Sequence, residues 1–411
     1  MDLVELGEMP PIGVVPKRMY AATVRRERYG EPADAIAIEV VDTPTAGRGQ
    51  VLVMVMAAGI NYNNIWASRG TPVDVVAMRR RRDPNATPFH IGGSEGSGIV
   101  WAVGEGVEHI KVGDNVMLSG CQWDETHPDV RFGFDPMFSE TQVAWGYEAN
   151  YGSFGQFALV ADYQCHPMPS RLTWEEAACF LCTGATAYRQ LTGWPPNTVR
   201  PGDPVLVWGG AGGLGSMASQ ITRALGGRPV SVVSNPDRAD FCKRMGAVGV
   251  IDRTQFDHWG PVPKDSAEHK RWQAGLKAFG RAFWDALGER RAPAIVFEHP
   301  GSDTLPTSVF LCATGGMIVT CGATSGYRGE VDLRYLWMRQ KRLQGSHYAN
   351  LRECRAIIDL VSSGHVSPAL GAVYEFRDIA RIHQETADGT QPLGNNVVLV
   401  NAPARGLRPA G

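Results

Sequence analysis

Gly210, Gly212, Gly213 and Gly215 stand in "VLVWGGAGGLGSMA" (205–218), between an apolar run and an amphipathic one. Backbone without a Cβ lets a pyrophosphate lie against the chain and against the first N–H groups of a helix. Leu214 sits inside the same turn. With a strand before and a helix after, the spacing is that of a dinucleotide-binding loop, and a purely structural turn is the weaker alternative. The end of the next apolar run selects the nucleotide. A site for NAD places an acid about 20 residues past the glycines, where it holds the ribose hydroxyls. Here the run ends "SVVSNPDR", with Ser231, Ser234 and Asn235 first and Arg238 a turn later. Asp237 falls in the first helical positions, past the ribose. Hydroxyl donors with a guanidinium suit a 2′-phosphate, so the expected cofactor is NADPH.

Three other places invite chemistry. Glu148, in "AWGYEANYGSFGQF" (144–157), is a lone carboxylate among aromatics and glycines, with no basic neighbour along the chain. Burying an unpaired charge is costly, so its partner has to come from elsewhere in the fold. Cys179 and Cys182 form a CxxC inside "TWEEAACFLCTGATAYRQL", which reads as one helix capped by Thr173. Without a second cysteine pair or a histidine at ligand spacing, core packing outweighs a metal or redox role. Glu298 and His299 end a strand on the ligand side of the sheet, with structural capping an equal alternative. The basic run Arg79 to Arg82 reads as a solvated loop before Asp83 and Pro84, with contact to a ligand phosphate the weaker alternative.

These residues need a scaffold, and the chain supplies two patterns. Residues 17–170 alternate short β-rich runs with glycine turns, as in "QVLVMVMAAG" and "SGIVWAVGEG", which predicts a strand-dominated domain. From about residue 172 the rhythm becomes strand, helix, strand, which predicts an α/β doubly wound parallel sheet. An insertion spaces Trp272, Leu276, Phe279, Phe283 and Leu287 to put one apolar stripe on a helix packed against that sheet. The last segment, ending "NNVVLVNAP", returns to strands. The expected domains are therefore 1–182 with 366–411, strand-rich and catalytic, and 183–365, a Rossmann domain for NADPH.

This two-domain plan resembles the medium-chain dehydrogenase/reductase superfamily over nearly the whole chain, which implies that the strand-rich domain is GroES-like. Zinc alcohol dehydrogenases of that superfamily draw a metal ligand from a Gly-His-Glu element. This chain reads "HIGGSEGSG", with Ser94 before Glu95 at that place, and "AAGINYNN" where an early catalytic cysteine would stand. Such residues do not assemble a tetrahedral zinc site, so no metal is expected. Hydride transfer without a Lewis acid favours a conjugated double bond over an alcohol.

Longer stretches are more specific. "AAGINYNNIWASRGTPV", "DPMFSETQVAWGYEANYGSFGQF", "VFEHPG" and "RYLWMRQKRLQGSHYANL" resemble the crotonyl-CoA carboxylase/reductase family, within a likeness running from about residue 9 to "APARGL". The resemblance implies hydride transfer from NADPH to the β-carbon of an α,β-unsaturated acyl-CoA. Carbon dioxide then traps the enolate, giving an alkylmalonyl-CoA such as ethylmalonyl-CoA. It also implies a carbon dioxide pocket made by Asn63, Tyr147, Glu148 and His347, a homo-oligomer (tetramer or dimer), and Thr183 facing the nicotinamide. The chemistry is coherent, because Asn63 and His347 offer N–H donors to the electron-rich oxygens. Glu148, accepting from Asn63 or from a water, would fix the amide. Few acids near the α-carbon would spare the enolate from protonation. Singly, each of the four has an ordinary structural reading, and their joint match favours the functional one. Two alternatives stay open: a simple NADPH-dependent enoyl-CoA or quinone reductase, and a non-catalytic member of the superfamily. Glu95, where relatives often carry Asp, and the divergent "RGTPVDVVAMRRRRDP" are departures from the family pattern.

Composition excludes other classes. The 411 residues exceed one compact core. A charge of -2 with 20% charged residues gives no pull toward nucleic acid or anionic membrane. No run approaches the roughly 20 apolar residues that span a bilayer, and the N-terminus carries acids where a signal peptide needs positive charge. Eight scattered cysteines read as reduced thiols. The expected location is cytoplasmic.

Overall fold

Gln50–Gly59 is buried at every position after Gln50, the burial of a strand covered on both faces. One edge pairs antiparallel along its length with Gly96–Val103. The other edge is divided between Phe157–Ala161 and Asn395–Leu399. A separate sheet sets Arg18–Arg25 between Ile36–Asp42 and Phe89–Ile91. The chain must therefore cross from the Phe89–Ile91 strand to the Gly96–Val103 strand through residues 92–95. That four-residue strip turns out to organise the site. Around it the core is aromatic and close-packed, with Trp101, Trp145 and Phe157 buried and Trp101 edge-on to Phe157 at 6.2 Å.

These coordinates belong to a computed structural model that describes residues 1–409. Packing divides the chain into two compact units. The first holds Met1–Cys182, Asn350–Cys354 and the chain from Leu370 on; the second holds Thr183–Ala349 and Arg355–Ala369.

The second unit is built on six parallel strands in the spatial order Gly249–Asp252, Arg228–Val233, Pro204–Val207, Ile295–Glu298, Met317–Thr320, Arg342–Gly345. This order reverses between the Pro204–Val207 and Ile295–Glu298 strands, which opens a crevice at their C-terminal ends. The helix Ser266–Leu287 buries Trp272, Leu276, Phe279, Phe283 and Leu287, the stripe expected from its spacing. Phe279 stacks on Trp208 at 5.5 Å, just before the glycine loop.

Two local expectations are corrected. The "TWEEAACFLC" stretch is not one helix but two, Trp174–Ala177 and Leu181–Thr192. Thr173 does cap the first, in a reciprocal capping box with Glu176. Arg79 to Arg82 are not a loop. They end the helix Val75–Arg82, whose N-cap Asp74 accepts the Ala77 N–H at 2.8 Å. Among the described residues no helix is long and apolar enough to cross a membrane.

Candidate active site

In the Rossmann unit the glycine loop joins the Pro204–Val207 strand to the helix Gly213–Ala224, with Gly212 at its N-cap. Each glycine has its own reason. Gly209 adopts φ 59°, and a Cβ there would lie 2.6 Å from Nε2 of His299. A Cβ on Gly210 would meet Ser231 at 2.4 Å, and one on Gly215 would meet the Gly209 carbonyl oxygen at 2.3 Å. Gly212 differs, since its nearest neighbour would be 3.6 Å away. Gly210 thus lets the loop pack on the Arg228–Val233 strand and Gly215 lets it pack on itself, while Gly212 faces open space at a helix N-terminus. That is the arrangement a pyrophosphate needs, and these residues fit a dinucleotide.

A cavity of about 190 Å³ continues from this loop, lined by Trp208, Gly209, Ser234, Arg253, Asp303 and Thr324 among others. Ser234 is where sequence placed it. Arg238 is absent from that lining, and the cavity's guanidinium is Arg253, which sequence reasoning missed. It follows the Gly249–Asp252 strand, which lies beside Arg228–Val233, so the sheet order brings it to Ser234. Ser231 is a correction too. It is fully buried and shares a hydrogen bond with Ser219 at 3.1 Å, so it packs the loop and offers nothing to a ligand. Asn235 accepts the Asp237 N–H at 2.9 Å and serves as a turn cap.

Glu298 resolves as a cap. It is fully buried and accepts from Thr304 Oγ1 at 2.7 Å, Ser308 Oγ at 2.5 Å and the Gly301 N–H at 3.1 Å. Ser308 in turn accepts from the Trp208 indole at 2.8 Å. His299 Nε2 lies 3.0 Å from the Trp208 carbonyl, to which it donates, and burial pushes the imidazole down to about 4, so it stays neutral.

In the strand-rich unit, two segments converge on residues 92–95. The first is "NYNN" (61–64), in register. Asn61 Nδ2 donates to Glu95 Oε1 at 2.6 Å, Asn63 Nδ2 to Ser94 Oγ at 2.7 Å, and Asn64 Oδ1 accepts the Gly93 N–H at 3.0 Å. The second is the 146–154 segment. The Gly152, Ser153 and Phe154 N–H groups donate to Ile91, Gly93 and Gly92 carbonyls, and a Cβ on Gly146 would lie 2.0 Å from the Gly93 oxygen. Only glycines at 92, 93, 146 and 152 allow so close an approach.

Asn63, Tyr147 and Glu148 are therefore carried on the two segments that pack against this strip. The expected bond between Asn63 and Glu148 is not formed. Asn63 Nδ2 goes to Ser94 and its Oδ1 accepts from Asn64 at 3.0 Å. Glu148 Oε2 accepts the Ala144 N–H at 2.8 Å, while its own N–H donates to the Ala144 carbonyl at 2.8 Å. The carboxylate thus closes its own turn. Tyr147 packs against the cluster formed by Ala67, Val75 and Val76, and burial with the nearby Glu148 pushes its phenol up to about 12, so it stays neutral. Of the remaining predicted residues, Thr183 is buried in the helix Leu181–Thr192. His347 is exposed after the Arg342–Gly345 strand, its ring 5.7 Å from that of Tyr348.

Glu95 was noted in the sequence only as a departure. It is buried, and Oε2 also accepts the Cys182 N–H at 2.8 Å. Burial pushes both Glu95 and Glu298 up to about 7, against the donors that oppose it. Between an unfolded value of 4.5 and about 7 the folded chain keeps protons that the unfolded chain has released. Stability therefore falls as pH rises through that window, by about 3 kcal/mol for each group. Buried histidines such as His299 and His383, both lowered to about 4, pull the other way below their ordinary value of 6.5. The difference between wild type and Glu298→Gln isolates the carboxyl. Urea midpoints measured from pH 5 to 8 should show the variant losing less stability with rising pH; parallel curves would contradict this assignment.

The loop, the parallel sheet and the strand-rich unit define a two-domain medium-chain dehydrogenase/reductase. Two family patterns agree: the alcohol dehydrogenase GroES-like domain over residues 47–170 and the zinc-binding dehydrogenase over 213–363. A crotonyl-CoA carboxylase/reductase from Cereibacter sphaeroides is 47% identical over 99% of this chain and 93% of its own. A crotonyl-CoA reductase from Streptomyces collinus is 37% identical over 95% of this chain and 86% of its own. A solved crotonyl-CoA carboxylase/reductase in complex with NADP is 57% identical, with a TM-score of 0.93 over 98% of this chain and 100% of that one. A 2-octenoyl-CoA carboxylase reductase in complex with NADP and 2-octenoyl-CoA is 34% identical, with a TM-score of 0.88 over 96% and 90%. The chain belongs to the crotonyl-CoA carboxylase/reductase family.

Proposed function

We propose that this chain reductively carboxylates an α,β-unsaturated acyl-CoA, crotonyl-CoA or a close analogue, to an alkylmalonyl-CoA, with NADPH as reductant. The observation that carries the reading is the packing of the segments bearing Asn63 and the Tyr147–Glu148 turn against the same 92–95 strip. When bound, NADPH supplies the hydride. Gly212 with the helix Gly213–Ala224 receives the pyrophosphate, and Ser234 with Arg253 receives the 2′-phosphate end.

The amide of Asn63 uses one N–H on Ser94 and keeps its second for an oxygen of carbon dioxide. His347 is the other donor. Tyr147 excludes water with its ring, and Glu148 keeps Oε1 for an ordered water or ligand while Oε2 holds the turn. Glu95 is a carboxyl poised near neutrality, yet Asn61 and Cys182 occupy its two oxygens. It is a tied structural group and not a ready proton donor, which suits an enolate meant for carbon dioxide. The enzyme works in the cytoplasm as a homo-oligomer.

A second reading, plain reduction, is favoured by the Streptomyces relatives named crotonyl-CoA reductase. Mass analysis of the product from crotonyl-CoA and longer enoyl-CoAs in labelled bicarbonate separates the two. Incorporation of one label supports carboxylation, and an unlabelled saturated acyl-CoA as the main product overturns it. For the cofactor, Arg253→Ala should weaken NADPH about 10-fold while leaving NADH within about 2-fold, the loss of one charge-assisted hydrogen bond. Equal weakening of both, read by fluorescence titration, would remove Arg253 from the phosphate site.

A further inference from the structure

Behind the Tyr147–Glu148 turn lie a buried histidine and a half-buried arginine that carboxylation chemistry does not use directly. We infer that Arg79 and His90 are positioning residues for the Gly146–Glu148 turn and so set the fraction of product that is carboxylated. His90 is fully buried in the Phe89–Ile91 strand. Its Nδ1 lies 3.1 Å from Arg79 Nη1, and its Nε2 lies 3.3 Å from the Gly146 carbonyl. A guanidinium only donates, so Nδ1 must accept and Nε2–H must point at Gly146. Arg79 thereby selects one tautomer, and that tautomer holds the carbonyl at the start of the turn.

The turn transmits this hold. Gly146 has φ 72° and no room for a Cβ against the Gly93 oxygen. Glu148 is locked to Ala144 through both its N–H and Oε2. A shift of Gly146 therefore carries Glu148 with it. The helix Val75–Arg82 bears on the same turn by two routes, through the Ala67, Val75 and Val76 cluster on which Tyr147 packs and through Arg79 on His90.

Core packing alone does not account for the arrangement. Arg79 also donates to the Phe89 carbonyl at 2.7 Å, but its buried Nε has no partner. Among the described residues no carboxylate pairs with it. Burial lowers its pKa to about 10, the mark of a charge held at a cost. An apolar residue would fill that space more cheaply, so the charge is kept for what it orients.

The inference rests on the proposed role of Tyr147 and Glu148 in carboxylation. The test compares His90→Phe, His90→Gln, Arg79→Met and Glu148→Gln with wild type. It reads the ratio of carboxylated to reduced acyl-CoA, together with the rate of NADPH consumption. The ratio should fall about 10-fold in His90→Phe and Arg79→Met, as for loss of a group that orients a site residue. NADPH consumption should stay within about 3-fold, and His90→Gln, whose amide can donate to Gly146, should recover most of the ratio. If His90→Phe fails to fold, Arg79→Met, which leaves the ring in place, carries the test. An unchanged ratio in folded His90→Phe and Arg79→Met overturns the inference, as does parallel loss of both products. Should Glu148→Gln shift the ratio while those two do not, only the positioning pair falls. Should none of them shift it, the reading of Glu148 falls as well. A shift confined to the Arg79 and His90 variants keeps the pair and removes Glu148 from the site.

Discussion

Asn63→Leu should go on oxidising NADPH with crotonyl-CoA but release mainly the reduced acyl-CoA. The substitution keeps the forked shape of the side chain and removes the amide. Carbon dioxide carries little charge for a protein to grip, so its capture depends on N–H groups aimed at its oxygens, in the way an oxyanion hole depends on preset donors. Losing one such donor costs on the order of 100-fold in the step it serves. Hydride transfer needs none of this, because it relies on the glycine loop and its cavity, both built in the other unit. The enolate then survives until a proton from water reaches it. Glu148→Gln should move the ratio the same way by about 10-fold, since Oε2 also holds the Ala144 N–H and a glutamine oxygen can replace it there. Product mass analysis at fixed bicarbonate reads both variants. If Asn63→Leu keeps the wild-type ratio, the amide has no part in trapping carbon dioxide.

The second large effect separates the glycines. Gly212→Val places its Cβ with nothing closer than 3.6 Å, at φ -82° and ψ 174°, where any residue is at ease. The free protein should melt at the wild-type temperature. NADPH should nonetheless bind at least about 30-fold more weakly, because the isopropyl group occupies the space the pyrophosphate takes. Gly215→Ala should damage the fold as well, since its methyl would sit 2.3 Å from the Gly209 oxygen and 2.8 Å from Gly210 Cα. Backbone cannot yield there cheaply, and about 1–3 kcal/mol of stability should be lost along with affinity. Thermal melts and fluorescence titration of the two variants distinguish the roles. Equal melting temperatures for Gly215→Ala and wild type would show that the loop has slack the distances deny.

What the residues encode locally could be read locally. The glycine loop, the stripe from Trp272 to Leu287 and the Thr173 capping box each state a requirement of one short segment, satisfied by backbone geometry or helical period. The assignment of Asn63, Tyr147, Glu148 and His347 was legible only through resemblance, because no spacing links segments so far apart. Partner choice was decided by tertiary structure. Glu148 bonds Ala144 and Asn63 bonds Ser94, because each segment is fastened to the 92–95 strip at its own residues. Arg253 reaches the cavity because its strand pairs with the one ending at Ser234, and Ser231, on that same strand, points into packing instead. A strand buried on both faces carries no alternation to say which side chains meet the ligand. Arg79 looked like one of four solvated charges, yet helical phase turns it alone onto His90. Sequence determined which elements form, since those preferences act within a turn or two. The fold decided which side chains meet, since that follows from strand order and close glycine contacts that only the assembled sheet possesses.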